Sequence, residues 1–114
     1  MSFFSSEVVR AEMAEISVLQ EQIYESVFKF PTMFKEDKIR HVELMERLLN
    51  KQKILYTRLS LSDDPEAREM KQKISNSAQM MGLPSHVDMN IILNNMSKML
   101  ESMKKQIDKT GFDL

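Results

Sequence analysis

The sequence predicts an all-α protein: a long antiparallel helical hairpin followed by two further helices, a four-helix, bundle-like arrangement that is oligomeric. Three observations predict it. Only 2 of 114 residues are glycine and 3 are proline, so the chain has few places to turn. Apolar residues recur at alternating spacings of four and three, the period of a helix seam, and no strand alternation appears. Prolines and glycines fall between those runs, as stop and start signals. Together they divide one helical domain, residues 1–114, into helices at about 7–28, 34–60, 65–81 and 86–109.

The first helix starts behind Ser5 or Ser6, either of which can accept hydrogen bonds from its first turn. Its stripe is Val9, Met13, Ile16, Gln20, Ile23 and Val27, the a/d spacing of a helix–helix seam with Gln20 as the polar intruder. Phe30-Pro31 ends it, because a residue before proline is pushed out of the α region. The second helix takes Thr32 as its cap. Val42, Met45, Leu49, Gln52, Tyr56 and Leu59 repeat the alternation, and Leu44, Leu48 and Leu55 broaden it toward two neighbours.

The third start is Ser62-Asp63-Asp64-Pro65-Glu66-Ala67: an acceptor at the N-cap, proline at the first helical position and an acid in the first turn. Gly82 is the expected left-handed residue after its end, with Leu83 as the hydrophobic contact and Pro84 blocking continuation. Ser85-His86-Val87-Asp88 reads as a capping box with Asp in place of Glu. The fourth helix places Met89, Ile92, Met96, Met99, Met103 and Ile107 on one face, and Gly111 closes it.

Charge supports the hairpin. Residues 1–31 carry five acids and two bases, and residues 32–62 carry seven bases and four acids, so the two longest helices have opposite net charge. Such charges beside a seam set pairing and orientation more than stability.

Several function classes drop out. With no cysteine, thiolate nucleophiles, disulfides and zinc–thiolate sites are excluded, which suits a cytoplasmic protein. Glycines only at 82 and 111 leave no phosphate loop or dinucleotide fingerprint. A di-iron bundle needs Glu-x-x-His, but Lys38 precedes His41 and Leu83 precedes His86 at that spacing. Asp37 and His41 share a helix face and read as a solvated pair. No catalytic residue, metal ligand or cofactor is expected, and the chain is not expected to be an enzyme. No apolar run approaches the roughly 20 residues that span a bilayer, and no signal peptide opens the chain.

Three patterns remain. Arg40, Arg47, Lys51 and Arg58 fall on nearly one line of the second helix, about 27 Å long. Such a line can track phosphates. The net charge of −1, the absence of interleaved aromatics and the adjacent Leu44 and Leu55 favour pairing with acids on a neighbouring helix. Methionine crowds the last third of the chain, and Met89, Met96 and Met103 repeat every seven residues. This is core filling, with a partner groove or oligomer seam as the alternative. Phe28, Phe30 and Phe34 gather at the hairpin turn, and Phe3 and Phe4 lie at its far end near Leu59 and Leu61. They plug a core or form an exposed knob.

Phe3-Phe4, Glu7 to Met13, Phe28-Lys29-Phe30-Pro31, Leu55 to Ala67, Met80-Met81-Gly82-Leu83-Pro84 and Asp88-Met89-Asn90 run nearly the length of the chain. In them the sequence resembles a family of small uncharacterised proteins of cyanobacteria and their phages, a domain of unknown function. The stretch from Tyr56 to Ala67 is the most specific. The resemblance implies a cytoplasmic setting and brings no activity and no site residues. Within that stretch Arg58 and Asp63 suggest an ion pair across the corner, or a docking point.

The function expected is a non-enzymatic protein–protein interaction module: an adaptor, regulator or assembly factor acting through apolar helix faces, as a homo-oligomer, with a protein partner, or both. Candidate partner-binding residues are Arg40, Arg47, Lys51, Arg58, Asp63, Met89, Met96 and Met103. The alternatives are a nucleic-acid-binding accessory protein using the basic line and a phage structural or tail-accessory component.

Overall fold

The computed structural model describes residues 2–84 and 88–110. They form four α-helices: α1 (Glu7–Ser26), α2 (Lys35–Leu61), α3 (Pro65–Met80) and α4 (Met89–Thr110). A 3₁₀ turn, Phe3–Ser5, precedes α1, and a 3₁₀ segment, Val27–Thr32, joins α1 to α2. No strand occurs among the described residues.

The longest helix, α2, is the spine. α1 and α4 pack against it, and α3 packs against it too and reaches the N-terminal 3₁₀ turn. Both pairings along the spine are antiparallel. Ser26 of α1 meets His41 near the start of α2 at 2.9 Å, while Glu12 meets Arg58 near its end. Lys104 near the end of α4 reaches Glu46 at 2.9 Å, and Asp108 reaches Lys35 at 3.6 Å. This is the bundle-like all-α fold, with its hairpin, that the sequence predicts.

The core is uneven. Leu19 and Ile23 of α1, Val42 and Leu49 of α2 and Ile107 of α4 are buried, Val42 and Ile107 completely. The antiparallel register brings them to one end of the bundle, where each contributes about 1.5–3 kcal/mol through burial. Toward the other end Val9, Leu59 and Ala67 are the only buried apolar residues among those described. The molecule measures 49 × 32 × 20 Å with a radius of gyration of 16.3 Å. A compact domain of this length has about 13 Å. One end is closed, and the other is splayed.

Local chemistry explains the junctions. The Ser26 hydroxyl lies within hydrogen-bond reach of the Gln22 carbonyl at 3.2 Å, and α winding stops there. The tighter 3₁₀ segment carries the chain through Pro31, which has no N–H to give. Thr32, expected as the cap of the second helix, instead donates back to the Lys29 carbonyl at 2.9 Å. Phe34 takes the N-cap position with no side-chain bond. Asp64 caps α3 by accepting from the Glu66 N–H at 2.9 Å, with Pro65 at the first position. α3 ends in a Schellman arrangement: Leu83 N–H bonds to Ala78 carbonyl and Gly82 N–H to Gln79 carbonyl, with Gly82 at φ 97°. At α4 the Asp88 carboxylate accepts from the Asn90 N–H at 2.9 Å. The rest of the expected capping box, Ser85 to Val87, and Gly111 lie outside the described residues.

Candidate docking surface

Where the helices splay they leave an open groove of about 410 Å³. Gln52, Leu55, Tyr56 and Leu59 of α2 line it. Met13 and Ile16 of α1, Met70 and Ile74 of α3, and Met89 and Leu93 of α4 complete the lining with Phe3 and Phe4. Among the described residues Gln52 and Tyr56 carry the only polar side chains in it. The position of Phe3 is anchored, since its N–H donates to Asp64 Oδ2 at 2.5 Å. Phe4 meets Phe3 edge to face, with ring centroids 5.1 Å apart. The carboxylate that starts α3 therefore also ties down the aromatic end of the groove.

A second apolar surface continues from the groove along α4. The expected single face of that helix divides. Ile107 enters the core and Met89 lines the groove, whereas Met96, Met99 and Met103 face solvent, Met99 at 67% exposure. The reason is that α4 carries two apolar rows side by side. Leu93, Leu100 and Ile107 repeat every seven residues next to the methionines. Turning that row inward lets Lys104 reach Glu46 and Glu43 across α2. Those carboxylates hold the Lys104 ammonium pKa above its usual value.

The basic line is turned largely toward α1. Arg58 Nε donates to Glu12 Oε1 at 2.9 Å, and Lys51 bonds Glu15. The Lys51 hydrogen bond and charge, with a smaller contribution from Arg47, hold the Glu15 carboxyl below its ordinary value. Arg40 pairs within its own helix with Asp37 at 3.5 Å. The opposite charges of the two long helices thus meet as contacts between them. The expected Arg58–Asp63 pair is not formed: Arg58 turns to Glu12, and the solvent-exposed Asp63 lies 3.4 Å from Arg68.

His41 also departs from expectation. It is not a solvated partner of Asp37 but is 4% exposed, with Nδ1 2.9 Å from Ser26 Oγ and its ring 5.2 Å from that of Phe30. Burial pushes its pKa down. Lys38, also buried, sits 5.9 Å from the Phe30 ring centroid. The turn aromatics divide accordingly: Phe30 packs inward while Phe28 and Phe34 are exposed.

Among the described residues no group of three or more His, Asp or Glu is placed to hold a metal ion. No helix among them is long and apolar enough to cross a membrane. The sequence reading missed the groove and the part Met70 and Ile74 play in it. Their spacing after Ala67 was the available signal.

Residues 1–107 match the family described as a domain of unknown function, DUF1825. The chain belongs to that family. The DUF1825 match ends at Ile107, so among the described residues it takes in the groove lining and the buried core. Nothing matches among curated proteins or among solved structures.

Proposed function

We propose that this DUF1825 chain is a non-enzymatic protein-binding module, an adaptor, regulator or assembly factor, whose groove receives the apolar face of a partner's amphipathic helix. The observation that carries this reading is the groove itself. Side chains from all four helices and both N-terminal phenylalanines converge on it, and they leave it open and almost entirely apolar. A helix laid into such a groove presents anchors at i, i+3, i+4 and i+7, and flexible methionines such as Met13, Met70 and Met89 adjust to them. The ion pairs that engage Lys51 and Arg58 with α1 weigh against the basic line as a phosphate track.

The test is affinity capture of the tagged chain from nuclease-treated lysate of the cells that make it. One protein recovered in stoichiometric amount, and lost when Ile74→Glu places a charge in the groove, is the expected result. Recovery of the bait alone, or of a partner that Ile74→Glu does not release, contradicts the reading.

A further inference from the structure

The walls of the groove are not held alike. α1 is tied to α2 by the Glu12–Arg58 and Glu15–Lys51 ion pairs, and α4 is tied to it by Lys104 with Glu43 and Glu46 and by Asp108 with Lys35. α3 has no such tie. Among the described residues its side chains bond only to one another, as Lys73 does to Glu69 and Gln72 to Asn76, or to the turn before it, as Arg68 does to Asp63. Its one buried residue, Ala67, lies in the first turn, beside the Asp64 cap that also holds Phe3. Beyond that turn Met70, Ile74, Ser75 and Ala78 are half-buried and the rest of the helix is exposed. α3 packs on α2 and on the N-terminal 3₁₀ turn but forms no extended interface with α4, although Met70 and Ile74 share the groove with Met89 and Leu93. A helix anchored at one end, with few buried contacts beyond it, belongs to the low-stability part of a fold.

We propose that α3 is a lid on the groove. It pivots about its capped first turn and closes Met70 and Ile74 toward Met89 and Leu93 when the groove is empty. The open arrangement described above is the one that admits a partner. The drive is apolar: walls with this lining release water when they meet, and α3 is the wall that gives up least by moving. Its ends suit a hinge, in which a few element-terminal residues take up the change. Ser62 and Asp64, on either side of the exposed Asp63, have extended backbone between α2 and α3. At the far end Gly82 sits at φ 97° with nothing within 4 Å of where its Cβ would be. The lid rests on the lining of the groove and not on the nature of its occupant.

The test is made on the free chain, which has no cysteine and so takes spin labels only where thiols are introduced. Ser77 near the free end of α3, Asn94 of α4 and Glu21 of α1 are all exposed. Pulsed electron resonance on Ser77→Cys/Asn94→Cys is expected to show a discrete short-distance population. Glu21→Cys/Asn94→Cys, which joins the two tied helices, is expected to show one narrow distance. Ile74→Glu puts a charge on the closing face. It is expected to convert the short population into a longer one, with helical circular dichroism and the reference distance unchanged, and Met70→Glu is expected to repeat that shift independently. A 77–94 distance as narrow as the reference, and unmoved by either variant, overturns the proposal. So does a broad distribution without a discrete short population, the sign of a fraying helix end and not of a hinged one. Failure to capture a partner from lysate leaves these distances untouched, so the two readings fail separately.

Discussion

At the scale of single residues, Asp64 serves two backbone donors with one carboxylate. Oδ1 takes the Glu66 N–H and caps α3, and Oδ2 takes the N–H of Phe3, 61 residues away in sequence. The cap was legible from Ser62 to Ala67, because capping is local. The tie to Phe3 was not, because no local rule links residues that far apart. Asp64→Ala removes both bonds and is expected to cost about 1–3 kcal/mol in urea unfolding. Asp64→Asn keeps an acceptor and is expected to recover part of that.

His41 is the complementary case. Near a helix start it reads as solvated, and only the return of Ser26 and Phe30 across the turn buries it. Burial lowers its folded pKa below the ordinary value of about 6.5. As pH falls through that value the unfolded chain takes up the proton first. Stability is therefore full above about pH 6.5 and declines as pH drops toward the folded pKa. Glu15 has the same sign at lower pH. Its carboxyl is lowered by Lys51, so its contribution is present above the ordinary carboxylate range and fades as pH falls through the lowered value. Urea midpoints measured across pH are expected to show both declines, and His41→Gln is expected to remove the upper one.

At the scale of elements, helix ends were more legible than helix faces. Gly82 has φ 97°, as its place between Met81 and Pro84 suggested. A Cβ there would meet nothing within 4 Å, so the cost of Gly82→Ala comes from backbone conformation alone. That variant is expected to lose about 1–2 kcal/mol in thermal or urea unfolding. The α1–α2 junction was harder to read. A proline stops an α-helix but does not forbid a 3₁₀ segment, and the chain winds on through Thr32. In α4 the apolar arc was visible, but two adjacent heptad rows compete for α2, and periodicity alone does not rank them. The row that lets Lys104 meet Glu46 goes inward, leaving the methionines outside.

At the scale of the whole molecule, the all-α class followed from scarce glycine, helical periodicity and the stop signals. The packing did not follow from them. Nothing along the chain says that α1 and α4 share α2 yet part at one end, or that α3 meets the N-terminal 3₁₀ turn rather than closing the bundle. Opposite charge on the first two helices did foretell their pairing, and Glu12, Glu15, Lys51 and Arg58 realise it. The outcome is a molecule with a closed, well-buried end, an open groove at the other and an apolar outer face along α4.

The central claim is that the groove receives a protein helix. It is tested most directly by quantitative capture with wild-type, Ile74→Glu and Met99→Glu chains side by side. A partner that wild-type and Met99→Glu retain and Ile74→Glu loses is the outcome this account expects. Equal recovery by all three, or no partner with any of them, contradicts it.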